Sequence, residues 1–188
     1  MLKTKIAVFV SGGGTNFEAL INAQENGKIP HGEIVLMVSS SKTAYALKRA
    51  ENHGIKSVVC SKKELGSQER FEEEILKNLE ENNIQLIVLA GFMSILSKEF
   101  TKKYENRIIN IHPSLIPSFC GEGFYGLHVH EAVLKKGVKV TGATVHIVNE
   151  IPDGGPIIMQ KAVYIEENDT PEILQKRVME QAEWKILP

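Results

Sequence analysis

The sequence predicts an α/β protein: a doubly wound, mainly parallel twisted sheet with helices on both faces, Rossmann-like in plan. Short, uniformly apolar runs such as residues 6–10 and 86–90 have the length and character of strands buried on both faces. Between them lie longer stretches whose apolar residues recur at helical spacing. Glycine turns join several of these pairs, and strict strand–helix alternation points to parallel pairing.

In order along the chain, residues 6–10 form a first strand ending in Ser11-Gly12-Gly13-Gly14, and 16–26 a helix with Phe17, Leu20 and Ile21 on one face. Residues 34–38 are a second strand, 44–53 a helix stopped at Gly54, and 57–60 a third strand. Residues 68–81 form a long helix with Phe71, Ile75, Leu76 and Leu79 on one face, followed by the strand 85–90. A strand starting near Arg107 closes on Asn110-Ile111-His112. A glycine-rich aromatic loop (117–127) and a short helix (131–136) follow. Residues 144–148 and 157–165 alternate as strands, with Asp153-Gly154-Gly155-Pro156 in the turn between them. The last helix begins at Thr170-Pro171, Thr capping and Pro in the first turn, and carries Arg177 and Glu183. Ligands of such sheets sit beyond the carboxyl ends of the strands, where strand order reverses. Ser11 to Asn16, Gly91-Phe92-Met93 and Asn110-Ile111-His112 are therefore expected to line one cleft.

The 188 residues, 43% hydrophobic and 24% charged, suit one compact domain spanning 1–188. Twenty-two basic and 23 acidic residues leave a formal charge of -1, without the basic footprint that nucleic acid or an anionic membrane would need. Small-molecule partners are expected, with the chain a monomer or homodimer. No apolar run approaches membrane-spanning length, and two cysteines with no metal-pair spacing suit a reduced, cytoplasmic setting.

Asn110, His112 and Asp153 combine an amide, an imidazole and a carboxylate, which suit chemistry at a carbonyl. When an amine attacks a carbonyl, donors must already face the developing oxyanion. Asn110 can offer an amide N–H, and a protonated His112 a charged one. Asp153 can stabilise imidazolium, raising the histidine pKa, or accept the amine proton directly or through water. Taken alone, Asn-x-His also reads as an ordinary structural hydrogen bond.

Ser11-Gly12-Gly13-Gly14-Thr15-Asn16 lies between strand and helix, where backbone N–H groups and the helix dipole can cradle a phosphate; a tight turn that merely starts the helix is the bland alternative. Phe17 stands where a dinucleotide fingerprint needs its third glycine, no acidic residue ends the second strand, and no Gly-Lys-Ser or Gly-Lys-Thr follows. A phosphate monoester is the best guest. His128-Val129-His130 could share a metal only in an extended chain, and no tetrahedral set can be assembled around it, so no metal is expected. Gly91-Phe92-Met93-Ser94-Ile95-Leu96 reads either as core packing or as an apolar rim for a flat heterocycle.

Together these residues resemble the phosphoribosylglycinamide formyltransferases, folate-dependent enzymes of purine biosynthesis. The likeness runs from Ile6 to the last residue through Ser-Gly-Gly-Gly-Thr-Asn, Leu-Ala-Gly-Phe-Met-Ser-Ile-Leu, Asn-Ile-His-Pro-Ser-Leu-Ile-Pro, Gly-Ala-Thr-Val-His and Asp-Gly-Gly-Pro-Ile-Ile-Met-Gln. The resemblance implies that 10-formyltetrahydrofolate donates its formyl group to the glycinamide amine, without a metal. It makes Asn110, His112 and Asp153 the catalytic trio, with His112 as proton donor. It assigns Gly14, Thr15 and Asn16 to the phosphate, Glu183 to the ribose hydroxyls, and Gly91 and Pro113 to backbone positions near the amine. Met93, Ser94, Ile95 and Leu96 match the segment that receives the pterin, with Gln68 and Asn110 also on the folate side. Gln68 stands where many members carry a ligand-contacting arginine, a contact that Arg70 would have to replace, and Ser94 replaces another arginine. The 119–126 loop is longer than in many members, and the chain stops at Pro188, short of the family's usual further strand or tail.

Two relatives of this chemistry fit less well. A formyltetrahydrofolate deformylase would carry a regulatory domain ahead of Ile6, and a methionyl-tRNA formyltransferase a basic carboxyl-terminal domain. A non-catalytic phosphate-binding module explains residues 11–16 but not the Asn110, His112 and Asp153 constellation.

Overall fold

A computed structural model describes residues 2–188. Seven strands form one sheet in the order β3-β2-β1-β4-β5-β6-β7. Two compact units divide the chain, one running to Ile109 and including Pro188, the other Asn110–Leu187.

In the first unit β1 (Thr4–Val10) is central, parallel to β2 (Gly32–Ser39) on one side and to β4 (Leu86–Leu89) on the other, and β2 is parallel to β3 (Lys56–Val59). Strand order thus reverses beside β1, and the segments that follow β1 and β4 lie at this switch point, as expected. Ala7, Val8 and Phe9 are wholly buried, which accounts for the unbroken apolar run. Helix α1 (Thr15–Glu25) buries Phe17, Leu20 and Ile21, and α2 (Ala46–Asn52) buries Ala46 and Ala50. Two short helices escape the sequence pattern, α3 (Lys62–Leu65), which buries nothing, and α5 (Lys98–Lys103). Helix α4 (Gln68–Glu81) has the bounds its periodicity predicts. Ser67 caps it by accepting from the Arg70 N–H, and Phe71, Ile75 and Leu79 are each fully buried one turn apart, contributing about 2 kcal/mol apiece.

In the second unit β6 (Val140–Ile147) and β7 (Ile157–Tyr164) pair antiparallel, and β5 (Ile108–His112) begins at the boundary. Helix α6 (Leu127–Lys136) starts four residues earlier than expected, directly after Gly126, and buries Val129, His130 and Val133. Helix α7 (Pro171–Val178) has Thr170 as its cap and runs into a π-helical turn, Met179–Glu183, then α8 (Trp184–Ile186). Arg177 is held by both oxygens of Asp169, whose side chain is only 3% exposed, a structural clasp. Among the described residues no helix is long and apolar enough to cross a membrane.

Candidate active site

Asn110 and His112 stand two apart on β5 and so point to the same face. Asp153 comes from the turn after β6, in the left-handed region at φ 54°. The glycines behind it make that turn possible. A Cβ on Gly155 would run into the Ile147 carbonyl, and one on Gly154 into the Ile151 side chain.

The three predicted side chains meet around the Asp153 carboxylate. Oδ2 accepts from the Gly121 N–H at 2.9 Å and faces His112 Nδ1 at 3.4 Å. Oδ1 lies 3.4 Å from Asn110 Nδ2 and 3.4 Å from His146 Nε2. His146, from β6, is a member the sequence reading passed over. Its Nδ1 donates to the Ile147 carbonyl at 2.9 Å, since a carbonyl can only accept. Its Nε2 lies between the Asn110 amide nitrogen, 3.1 Å away, and Asp153 Oδ1, 3.4 Å away. The Asn110 amide nitrogen thus sits beside both His146 and Asp153.

His112 is only 4% exposed, and its Nε2 donates to the Phe119 carbonyl at 2.9 Å. Burial lowers its pKa below the ordinary imidazole range; Asp153 and the Phe119 carbonyl pull upward, His146 adds to the lowering, and the net direction is down. The raised pKa expected from Asp153 is thus corrected. The carboxylate acts in the expected sense, but desolvation of the ring outweighs it. Asp153 behaves differently. Burial pushes its pKa up, yet His146, His112 and the Gly121 N–H together hold it below the ordinary carboxylate value. The cluster pairs an ionised carboxylate with a neutral imidazole whose bare Nδ1 faces it, so a proton arriving there gains a partner already in place.

On the first unit, Gly14 caps α1 in the left-handed region at φ 71°, packed so closely on Ala46 that a Cβ would collide. Thr15 and Asn16 open the helix, at the positive end of its dipole. Arg49, not foreseen, donates from Nε to the Gly13 carbonyl at 2.9 Å and from Nη1 to Glu18 at 2.9 Å, bringing a cation to this turn. No local sequence signal announces that contact, since 36 residues separate its ends. Gly91 is exposed with φ 75°, and its carbonyl accepts from the Ser11 N–H at 3.0 Å. Met93 and Ile95 are 51% and 71% exposed, so this segment is no core plug; Ser94 and Leu96 are half-buried. Gln68 opens α4, its amide nitrogen bonded to Glu72 and to the Ile95 carbonyl. Arg70 lies in the first turn of the same helix.

Pro113 is half-buried just after β5, and Glu183 is buried in the π-helical turn rather than on the regular last helix. His128 and His130 lie on α6, where side chains two apart diverge. His128 is exposed and bonded to Glu131, while His130 is wholly buried, so the extended geometry a shared metal requires is absent.

Comparison with known proteins gives the class first: the formyl transferase family matches residues 4–188. The chain belongs to that family. It is 38% identical to the phosphoribosylglycinamide formyltransferase of Haemophilus influenzae, over 98% of this chain and 84% of that protein. It is 47% identical to the trifunctional purine biosynthetic protein adenosine-3 of Gallus gallus, over 99% of this chain but only 18% of that much longer protein. The chloroplastic phosphoribosylglycinamide formyltransferase of Arabidopsis thaliana is 39% identical over 94% of this chain, which spans 61% of it. The crystal structure of phosphoribosylglycinamide formyltransferase from Bacillus halodurans superposes with a TM-score of 0.90 at 40% identity, covering 98% of this chain and 92% of that one.

Proposed function

We propose that this protein transfers the formyl group of 10-formyltetrahydrofolate to the amine of 5'-phosphoribosylglycinamide in de novo purine synthesis. The products are tetrahydrofolate and the formylated ribonucleotide. The observation that carries this reading is the meeting of Asn110, His112 and Asp153 around one carboxylate. The names of the relatives support the choice of substrates, and the two free cysteines support a reduced, cytoplasmic setting.

The amine attacks the formyl carbon directly, and the carbonyl oxygen becomes an oxyanion. Asn110 and His112 donate hydrogen bonds to it, Asn110 with the N–H that it turns away from its long 3.4 Å contact with Asp153. The single N–H of neutral His112 is engaged by Phe119, so the formyl oxygen takes the place of that carbonyl as acceptor. Asp153 draws the proton from the attacking amine, directly or through water, and stabilises His112 whenever the ring carries a second proton. Collapse of the tetrahedral intermediate breaks the bond to folate N10, which takes up one proton as the amine loses one. Gly14, Thr15 and Asn16 hold the phosphate and Glu183 the ribose hydroxyls. The backbone at Gly91 and Pro113 serves the amine end, and Met93, Ser94, Ile95 and Leu96 receive the pterin.

Incubation with 10-formyltetrahydrofolate, with and without phosphoribosylglycinamide, tests this by following tetrahydrofolate. Release that requires the amine is expected. Release without it would make the protein a deformylase, and binding with no release would leave a binding module.

A further inference from the structure

Residues 91–97 form neither helix nor strand, yet they are pinned at three places within their own unit. At one end Ser11 Oγ accepts from the Met93 N–H at 2.8 Å and shares a hydrogen bond with Ser40 Oγ at 2.6 Å. Below, the Phe92 ring packs on Phe9 and Phe71, with centroids 5.1 and 6.4 Å away. At the other end sits Glu72, a carboxylate on α4 that is only 8% exposed. Its Oε1 accepts from the Ser97 N–H at 2.6 Å and from Gln68 Nε2 at 2.5 Å, and its Oε2 from Ser97 Oγ at 2.5 Å. The same Gln68 nitrogen donates to the Ile95 carbonyl at 3.1 Å.

Burying a carboxylate is costly unless its hydrogen bonds are made, and here every one of these bonds bears on this single segment, directly or through Gln68. What the segment presents outward is Met93 and Ile95, exposed apolar side chains on a backbone that is already ordered. Ordering a loop before a ligand arrives removes part of the entropy cost of binding.

We infer that Glu72 is a positioning residue for the formylfolate co-substrate, holding the 93–97 backbone through Gln68 and Ser97; this rests on the reading of that segment as the pterin site. Gln68 then acts by fixing the Ile95 carbonyl, in place of the direct ligand contact expected at its position.

Steady-state kinetics of Glu72→Ala, Glu72→Gln and Ser97→Ala test the inference. Thr170→Ala serves as a control, because it removes a helix cap of the same kind elsewhere. Loss of hydrogen bonds to a charged group should raise KM for 10-formyltetrahydrofolate about 10- to 100-fold in Glu72→Ala. The kcat and the KM for phosphoribosylglycinamide should stay within about threefold. Ser97→Ala should give a smaller rise of the same kind. Glu72→Gln should recover most of the affinity, since its amide oxygen still accepts from Ser97 N–H and Gln68 and its NH2 can donate to Ser97 Oγ. Thr170→Ala should leave both KM values alone. Unchanged folate KM in Glu72→Ala and Ser97→Ala, or equal shifts for both substrates, would overturn the inference while leaving the proposed activity standing. Absence of amine-dependent transfer in the unsubstituted protein would remove both.

Discussion

His112 Nδ1 stands 3.4 Å from Asp153 Oδ2, while the opposite ring nitrogen donates to the Phe119 carbonyl at 2.9 Å. The one proton of the neutral ring is thus turned away from the carboxylate, and a lone pair faces it. The pair is arranged for a proton that arrives during reaction rather than one stored beforehand. Phe119 itself has φ 51°, a conformation unfavourable for a residue with a bulky side chain, so its carbonyl is a partner held at some cost.

Asp153→Asn should keep the shape of the turn but remove the anion that stabilises charged His112. The rate of the formyl-transfer step should fall about 10²- to 10⁴-fold, the range associated with loss of acid–base assistance. Single-turnover quench experiments read that step directly. A loss below about threefold would show that the carboxylate is a bystander.

His130 is fully buried, neither ring nitrogen has a hydrogen-bond partner among the described residues, and burial followed by the proximity of His112 pushes its pKa down to about 4. The folded protein thus resists protonating a group that the unfolded chain protonates at about pH 6.5. This contribution is fully present above the unfolded value and is lost as pH falls from there towards the folded one. About 3 kcal/mol of stability should disappear over that window. Lowered pKa at His112 adds to it with the same sign. Urea unfolding at several pH values should show the slope, and His130→Leu should flatten it; an unchanged slope would assign the acid lability elsewhere.

Gly155→Ala should displace the turn that carries Asp153, because the added methyl meets the Ile147 carbonyl. The cost should be at least about 2 kcal/mol in chemical denaturation, with activity reduced even where the protein stays folded. A variant as stable and active as the parent would mean that the turn relaxes freely.

Arg49→Gln should loosen the glycine turn from the Gly13 side and withdraw its nearby cation. The KM for phosphoribosylglycinamide should rise about tenfold, the loss expected for one charge-assisted hydrogen bond, with the KM for formylfolate little changed. Equal effects on both substrates would place Arg49 outside phosphate binding.

Where the sequence could be read, the signal was local. Helix α4 was legible because Phe71, Ile75 and Leu79 repeat at helical spacing. Helix α5 was not, since six residues anchored by Phe100 and Thr101 and capped by Ser97 are too few for a period. The early start of α6 was hidden because His128 and His130 interrupt its apolar pattern, although the second of them is core. At the site, Asn110 and His112 could be paired from strand alternation alone. His146 could not, because its place beside Asp153 is decided by strand register and by the path of the following turn. The sign of the His112 shift was out of reach for the same reason: sequence shows a neighbouring carboxylate but not how little water reaches the ring. Glu72 reads as one more charge on a polar helix until the fold brings Ser97 to it.

The most direct test compares His112→Ala with the parent protein in a single turnover, using 10-formyltetrahydrofolate and phosphoribosylglycinamide, with the affinity for the ribonucleotide measured alongside. Transfer should slow by at least about a hundredfold while that affinity moves by less than about threefold, separating chemistry from binding. Formyl transfer at the parent rate in His112→Ala would contradict the role given to the Asn110, His112 and Asp153 cluster.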